Sequence, residues 1–256
     1  MNREISLLRQ PTHVFVSRMI PSRVVYVLFV IMLLAGIFRV LSDKYNQNRC
    51  AVNIGEYQGP HYRNSQTLST KCLLSSTWMQ VRQHTVTVAD GSIVDDWLFI
   101  EYHDRVNVVA ELKDGSFKVF KQKKYALEDR TSLAIVGGVV EPGETAEKAA
   151  TRELSEEMQL TSSNLIFLGR YRTDVNRGLG WVNAYLARHC VQNGASSSAG
   201  DQDVVSGNDE VGASDSEQQD TLFLTKEQLY SASKRGEFLE VQWSNTVALA
   251  LMHLVV

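Results

Sequence analysis

The hydrophobic and polar positions divide the chain into an apolar front, a polar stretch, and a long region of short strand-like runs interrupted by one helix. Val24 to Phe38 reads VVYVLFVIMLLAGIF without a charge, and Arg39 then leads into Val40 and Leu41. The uncharged core covers about 15 residues, or about 22 Å of helix. A full span takes roughly 20 residues, and a snorkelling Arg39 lets Val40 and Leu41 extend the run. Three other readings compete. A cleaved signal peptide would place its apolar region closer to the start and show a small-residue cleavage site. A transit peptide would use the four arginines of residues 1–23. A buried core helix would not be apolar all round. The expectation is a basic tail at 1–23 followed by a single transmembrane anchor at 24–41. Arg3, Arg9, Arg18 and Arg23 precede the run, while Arg39, Lys44 and Arg49 follow it. The balance leans slightly towards a cytoplasmic N-terminus.

Residues 42–76 mix Gly, Pro, Ser, Thr and Asn with no period of 2 or 3.6, and are expected to form a linker. Strand signals then follow one another: Met79 to Val88, Trp97 to Tyr102, Val106 to Leu112, Phe117 to Phe120, and Leu133 to Val136 running into Gly137-Gly138. Asp114-Gly115 is a hairpin turn. After a helix come strands at Leu165–Tyr171 and Trp181–Ala187. Residues 192–220 are acidic, rich in Gly, Ser and Asp, and without aromatics; they are expected to be a disordered insertion. Thr225 with Gln228 forms a capping-box pattern. Glu240 to Val255 reads as a closing helix with Val241, Val247, Ala248, Leu251 and Leu254 near one face. One domain over 77–256 results, of class α+β, with a mixed sheet between helices.

Composition adds limits. The 256 residues are 44% hydrophobic and 21% charged, with a net charge of −3. That balance does not suit a polyanion binder, so no nucleic acid is expected as partner. A nucleotide site here needs a local cation. Cys50, Cys72 and Cys190 are too few and too scattered for a disulfide framework or a zinc site. Three unlinked thiols are the simpler reading, although Cys50 and Cys72 could pair in an oxidising lumen.

The chemistry is concentrated in Gly137 to Leu160, GGVVEPGETAEKAATRELSEEMQL. Pro142-Gly143 marks a turn and Thr145 a helix N-cap. Ala146, Ala149, Ala150, Leu154 and Met158 recur at helical spacing as the buried face. Glu153, Glu156 and Glu157 stand at i, i+3 and i+4, so their like charges crowd one side. They also lie towards the helix C-terminus, where the dipole disfavours anions. A solvated acidic face is one explanation. A hard divalent cation, which takes oxygen ligands, is the other.

The spacing as a whole decides between them. Gly138, Glu144, Arg152-Glu153-Leu154 and Glu156-Glu157 resemble the signature of the Nudix hydrolase superfamily, with one departure. Gln159 stands where the family has a glycine suited to a left-handed helix end. Gln can take that conformation at a cost of about 1 kcal/mol, and Leu160 follows as expected. The resemblance implies a Nudix-type mixed sheet sandwiched between helices and a Mg²⁺-dependent pyrophosphohydrolase, with Mn²⁺ as an alternative ion. It implies Glu153, Glu156 and Glu157 as catalytic metal ligands, with the carbonyl of Gly137 or its neighbour completing the shell. Gly138, Glu144 and Arg152 would support the site, the last two as an ion pair.

Gln122 to Leu127, ahead of the glycine loop, is similar to the segment that ADP-ribose and ADP-sugar pyrophosphatases carry there. Lys124 is the substrate-binding candidate on that basis. The substrate expected is a nucleoside diphosphate linked to another moiety. Lysines replace the aromatic and Arg of that segment, and Ala134 and Val136-Gly137-Gly138 replace an acid followed by Pro-Ala-Gly. The alternative function is a catalytically weak or inactive nucleotide-binding or scaffolding module at a membrane; a homodimer is compatible with either. Trp97 and Trp181 are expected in the core, and His103-Asp104 in a turn. A late-domain base would fall in the insertion, at Glu210 or Glu217.

Overall fold

Alternation of buried and half-buried positions along successive runs builds a mixed sheet, and one face of each helix closes over it. The computed structural model describes residues 22–193 and 219–255. The chain divides between Arg49 and Cys50 into two units.

The first unit contains helix α1, Ser22–Asn48. It exposes Tyr26, Phe29, Met32, Leu34 and Phe38. Side chains are described continuously only from Tyr26 to Arg39, fewer than the roughly 20 residues that a span takes. Among the described residues no helix is long and apolar enough to cross a membrane. The transmembrane anchor expected at 24–41 is therefore not part of what the structure shows.

The second unit begins with β1 (Val52–Asn53) and β2 (Thr67–Ser75), followed by β3 (Met79–Thr87), β4 (Ile93–Tyr102), β5 (Arg105–Leu112) and β6 (Phe117–Lys123). A 3₁₀ turn at Tyr125–Leu127 leads to β7 (Thr131–Ala134) and β8 (Val136–Val139). Helix α2 (Ala146–Met158) follows, then β9 (Leu160–Thr161), β10 (Asn164–Asp174), β11 (Gly178–Gln192), β12 (Gln219–Leu224), α3 (Lys226–Lys234) and α4 (Val241–His253). Along the sheet the order is β1-β2-β3-β4-β11-β5-β6-β12. β11 is the central strand. It runs parallel to β5 and antiparallel to β10, and β8 lies antiparallel along the first half of β5.

Strand alternation sends β5 side chains to two cores. Val106, Val108 and Ala110 pack under α2 with Ala149, Ala150, Leu154 and Met158. Val109 joins Leu229, Val247, Ala250 and Leu251 under α3 and α4. The sheet is thus held between α2 on one face and α3 and α4 on the other, the sandwich that the sequence implied. Val241 departs from its expected place: it is 71% exposed, because it opens α4 beyond the sheet, and Thr246 and Ala250 take the buried positions instead.

The linker expected over 42–76 needs correction. α1 extends to Asn48, and β2 pairs antiparallel with β3 from Thr67 to Ser75. Buried contacts fix the segment before β2. The Glu101 carboxylate accepts from the Tyr62 amide at 3.0 Å and pairs with His61 Nδ1 at 2.6 Å. Tyr57 is buried, edge-on to the His103 ring. Cys50 and Cys72 form a disulfide, so the reading of three unlinked thiols gives way; Cys190 alone is free, and buried. Burial pushes the Cys190 thiol up to about 11. Residues 194–218, including Glu210 and Glu217 and most of the expected insertion, lie outside the described residues. At its borders Gln192 ends β11 and Gln219 opens β12.

Candidate active site

The loop between β8 and α2 is fixed at both ends. Val140 donates its amide to the Asp104 carbonyl at 2.8 Å. Gly143 has φ +83°, the left-handed conformation that a Pro-Gly turn requires. Thr145 caps α2, its hydroxyl accepting from the Lys148 amide at 3.3 Å. At the other end Gln159 adopts φ 54° and ψ 35°, and its amide donates to Leu154 and Ser155. The residue that departs from the family signature takes the left-handed geometry that its glycine would have taken.

Arg152 organises the site. Its guanidinium donates to both oxygens of Glu144, each at 3.1 Å, and to the Val139 carbonyl at 2.9 Å. Its Nη1 reaches Glu153 at 2.8 Å and Glu156 at 3.0 Å. The hydrogen bonds from Arg152 hold the Glu144 carboxyl below its ordinary range and raise Arg152 itself. Burial pushes Glu153 the other way, upward, against the pull of Arg152. The expected Glu144–Arg152 pair is therefore present, and the same guanidinium also offsets the repulsion between Glu153 and Glu156.

The tandem glycines face opposite sides of β8. A Cβ on Gly138 would overlap the Glu153 carboxylate, and one on Gly137 would overlap the Asn107 side chain and the Val106 carbonyl. Absence of a side chain at Gly138 is what lets Glu153 lie directly against the strand. Glu157 is half-buried one helical turn further on. Among the described residues no three His, Cys, Asp or Glu side chains converge on one point, since Glu153 and Glu156 turn to Arg152. The donor set nonetheless fits a hard divalent ion: it is oxygen only, and Glu153 is a buried carboxylate seated on bare backbone.

Lys124 lies near Glu240, the residue before α4, whose carboxyl is raised by burial and pulled down by Arg105 and Lys124. Arg105 Nη1 stands 3.8 Å from Glu240.

A cleft of about 350 Å³ opens beside the carboxylates, lined by Thr77, Trp78, His103, Val139, Pro142 and Glu153 among others. Trp78 and Thr77 were missed in the sequence because they precede a strand with no motif around them. His103 and Asp104 form the two-residue link between β4 and β5; His103 is buried there, and Asp104 braces β10 and β11 through Arg170 (2.7 Å) and the Trp181 amide (3.1 Å). Trp97 and Trp181 are not core residues as expected. They wall a separate cavity of about 530 Å³ together with Tyr62, His84, Phe99 and Arg172.

The NUDIX domain family model matches residues 101–245. The chain belongs to this family and is a Nudix hydrolase. Such enzymes generally use a divalent metal such as Mg²⁺. Among solved structures, an ADP compounds hydrolase is similar with a TM-score of 0.56 and 16% identity, covering 78% of this chain and 97% of that one. At that identity the likeness concerns the fold. No curated protein sequence matches the chain.

Proposed function

We propose that the chain hydrolyses the diphosphate bond of a nucleoside diphosphate linked to another moiety, with ADP-ribose or an ADP-sugar as the substrate type. One observation carries this reading: the buried Glu153 carboxylate lies against Gly138, bound to an Arg152 that also grips Glu144 and the strand carbonyl of Val139. A scaffold that holds an ionisable group out of water at a bare glycine suits a charged ligand better than a solvated face. The fold shared with an ADP compounds hydrolase agrees with an ADP-bearing substrate.

Glu153, Glu156 and Glu157 with the Gly137 carbonyl would hold Mg²⁺. When bound, the ion supplies charge neutralisation at the phosphate oxygens and acidifies water. Arg152 and Glu144 keep the loop and helix in register, so the carboxylates hold their places without reorganisation. His103 and Trp78 wall the cleft. The test is release of AMP from a panel of ADP-sugars, dinucleotides, coenzymes and nucleoside triphosphates by the full-length protein in mild detergent with Mg²⁺. AMP from the ADP-sugars supports the reading; turnover of triphosphates alone overturns the substrate type.

Residues 24–41, on the same footing, anchor the protein in a membrane, with the hydrolase unit on the oxidising side. The uncharged run and basic flanks support the anchor. The Cys50–Cys72 disulfide, which follows α1 directly, supports the side, because such bonds persist in oxidising compartments. Membrane fractions should retain the protein through alkaline carbonate, and intact vesicles should shield the hydrolase unit from added protease. Release by carbonate would remove the anchor, and digestion in intact vesicles would reverse the side.

A further inference from the structure

Large apolar side chains stand uncovered at one corner of the hydrolase unit. Trp78 sits in the turn between β2 and β3, where the Ser76 amide donates to the Met79 carbonyl at 2.9 Å, and it is 65% exposed. The other three tryptophans are half-buried. β1 runs parallel to β2 towards the same turn, and just beyond it the Ile54 amide donates to the Ser75 carbonyl at 2.9 Å. Val52 and Ile54 are two residues apart in extended chain, so they share a face; they are 50% and 74% exposed. A Cβ on Gly55 would meet the Thr77 amide, which sets the chain after Ile54 against the turn that bears Trp78. An indole beside two aliphatic side chains, all in the open, suits an apolar phase bordered by water.

Charge and tether say what covers this corner. Residues 49–78 hold three bases, Arg49, Arg63 and Lys71, against one acid, Glu56, whereas the whole chain has a net charge of −3. All four are exposed. From Asn48, the last residue of α1, to Val52 is a stretch of at most about 14 Å of chain, and from Leu41 to Asn48 is about 10 Å of helix. The Cys50–Cys72 disulfide then ties the chain leaving α1 to β2 itself, the strand that ends at the Trp78 turn.

We propose that this corner is a membrane-contact surface: Trp78, Ile54 and Val52 enter the headgroup layer of a phospholipid bilayer, with Arg49 and Lys71 at the lipid phosphates. Tryptophan favours that layer, where the ring meets acyl chains and the N–H meets water. Lys and Arg pair with phosphate oxygens there through charge-assisted hydrogen bonds. The contact rests on the anchor proposed at residues 24–41, whose short tether keeps the corner within reach of the bilayer. Trp78 also borders the cleft that holds Arg152 and Glu153, so the contact sets the mouth of that cleft beside the headgroups.

Tryptophan fluorescence of the full-length protein in phosphatidylcholine and phosphatidylserine vesicles with brominated acyl chains tests the contact without turnover. Bromine quenches indoles that reach the lipid, and α1 contains no tryptophan. Wild-type emission should be quenched relative to unbrominated vesicles, and Trp78→Phe should lower the quenched fraction about threefold or more. Ile54→Glu keeps every indole and should lower it about twofold or more, because a charge resists entering the layer. Emission of both variants in unbrominated vesicles reports whether the remaining indoles keep their surroundings. Unquenched wild type, or equal quenching in Trp78→Phe, overturns the contact. Carbonate extraction of the same vesicles separates it from the anchor. Protein retained but unquenched removes the contact alone, and protein released removes anchor and contact together.

Discussion

Arg152 bears on more of the site than any other side chain, because one guanidinium serves three carboxylates and a strand carbonyl. Its bond to Glu144 depends on pH in a definite sense. The Glu144 carboxyl is held below its ordinary range, so the pair contributes stability above that range and loses it as pH falls through the lowered value. Glu144→Gln should therefore destabilise the protein at neutral pH, and the difference from wild type should narrow in urea unfolding as the pH falls below the ordinary carboxylate range. A difference that is constant with pH would remove the charge from the explanation. Gly138 is constrained by contact. Gly138→Ala places a methyl group where the Glu153 carboxylate sits, so turnover should fall at least about tenfold, the effect of roughly 1.4 kcal/mol or more at the barrier. Wild-type turnover of the purified variant would show that Glu153 can work from another position. The residue types and spacing of this cluster were legible in the sequence. The turn of Glu153 and Glu156 towards Arg152 was not, because helical periodicity gives a side chain's face and not its partner. Trp97 and Trp181 were misassigned to the core for a related reason: strand aromatics usually pack inward, and nothing local signals that their neighbours leave a cavity.

At the level of elements, helix α2 and strands β3 to β8, β10 and β11 were legible because period, caps and turn residues agree there, whereas β9 and β12 were not, and Gln219 and Asp220 of β12 fall within the expected insertion. Thr145, the Thr225–Gln228 capping box and Asp114-Gly115 all stand where the pattern put them. β2 was not legible. Its sequence TLSTKCLLS has mixed polarity, and its place comes from pairing with β3, from the anchoring of the preceding segment on Glu101, and from the cross-link of its Cys72 to Cys50. The end of α2 gives a test. Gln159 holds φ 54° without the freedom of glycine, so Gln159→Gly should relieve strain and stabilise the fold by up to about 1 kcal/mol. Loss of the weak 3.3 Å bond from its side chain to the Glu156 carbonyl subtracts little, since both groups are exposed. Chemical unfolding measures the difference, and a destabilised Gln159→Gly would mean that this helix end depends on the side chain.

The whole molecule joins an apolar helix to a hydrolase unit whose first residue is cross-linked. The Cys50–Cys72 bond closes a loop of sequence separation 22, and a loop of that size is worth about 3 kcal/mol. Reduction, or Cys50→Ser, should lower the thermal midpoint of the hydrolase unit measurably while leaving α2 and its carboxylates in place, so residual activity at low temperature should survive. No change in midpoint on reduction would mean that the bond is dispensable to the fold. Family and sheet architecture were legible from 24 residues of motif; the cross-link and the enlarged N-terminal edge of the sheet depend on contacts that only the folded chain brings together. The central claim is that the α2 glutamates hold the ion that makes diphosphate hydrolysis work. It is tested most directly by comparing Glu157→Gln with Glu147→Gln, an exposed position on the same helix, on the best substrate of the panel. kcat should fall on the order of a hundredfold for Glu157→Gln, or about 3 kcal/mol of transition-state stabilisation, and change little for Glu147→Gln. Near-normal turnover by Glu157→Gln would contradict the claim.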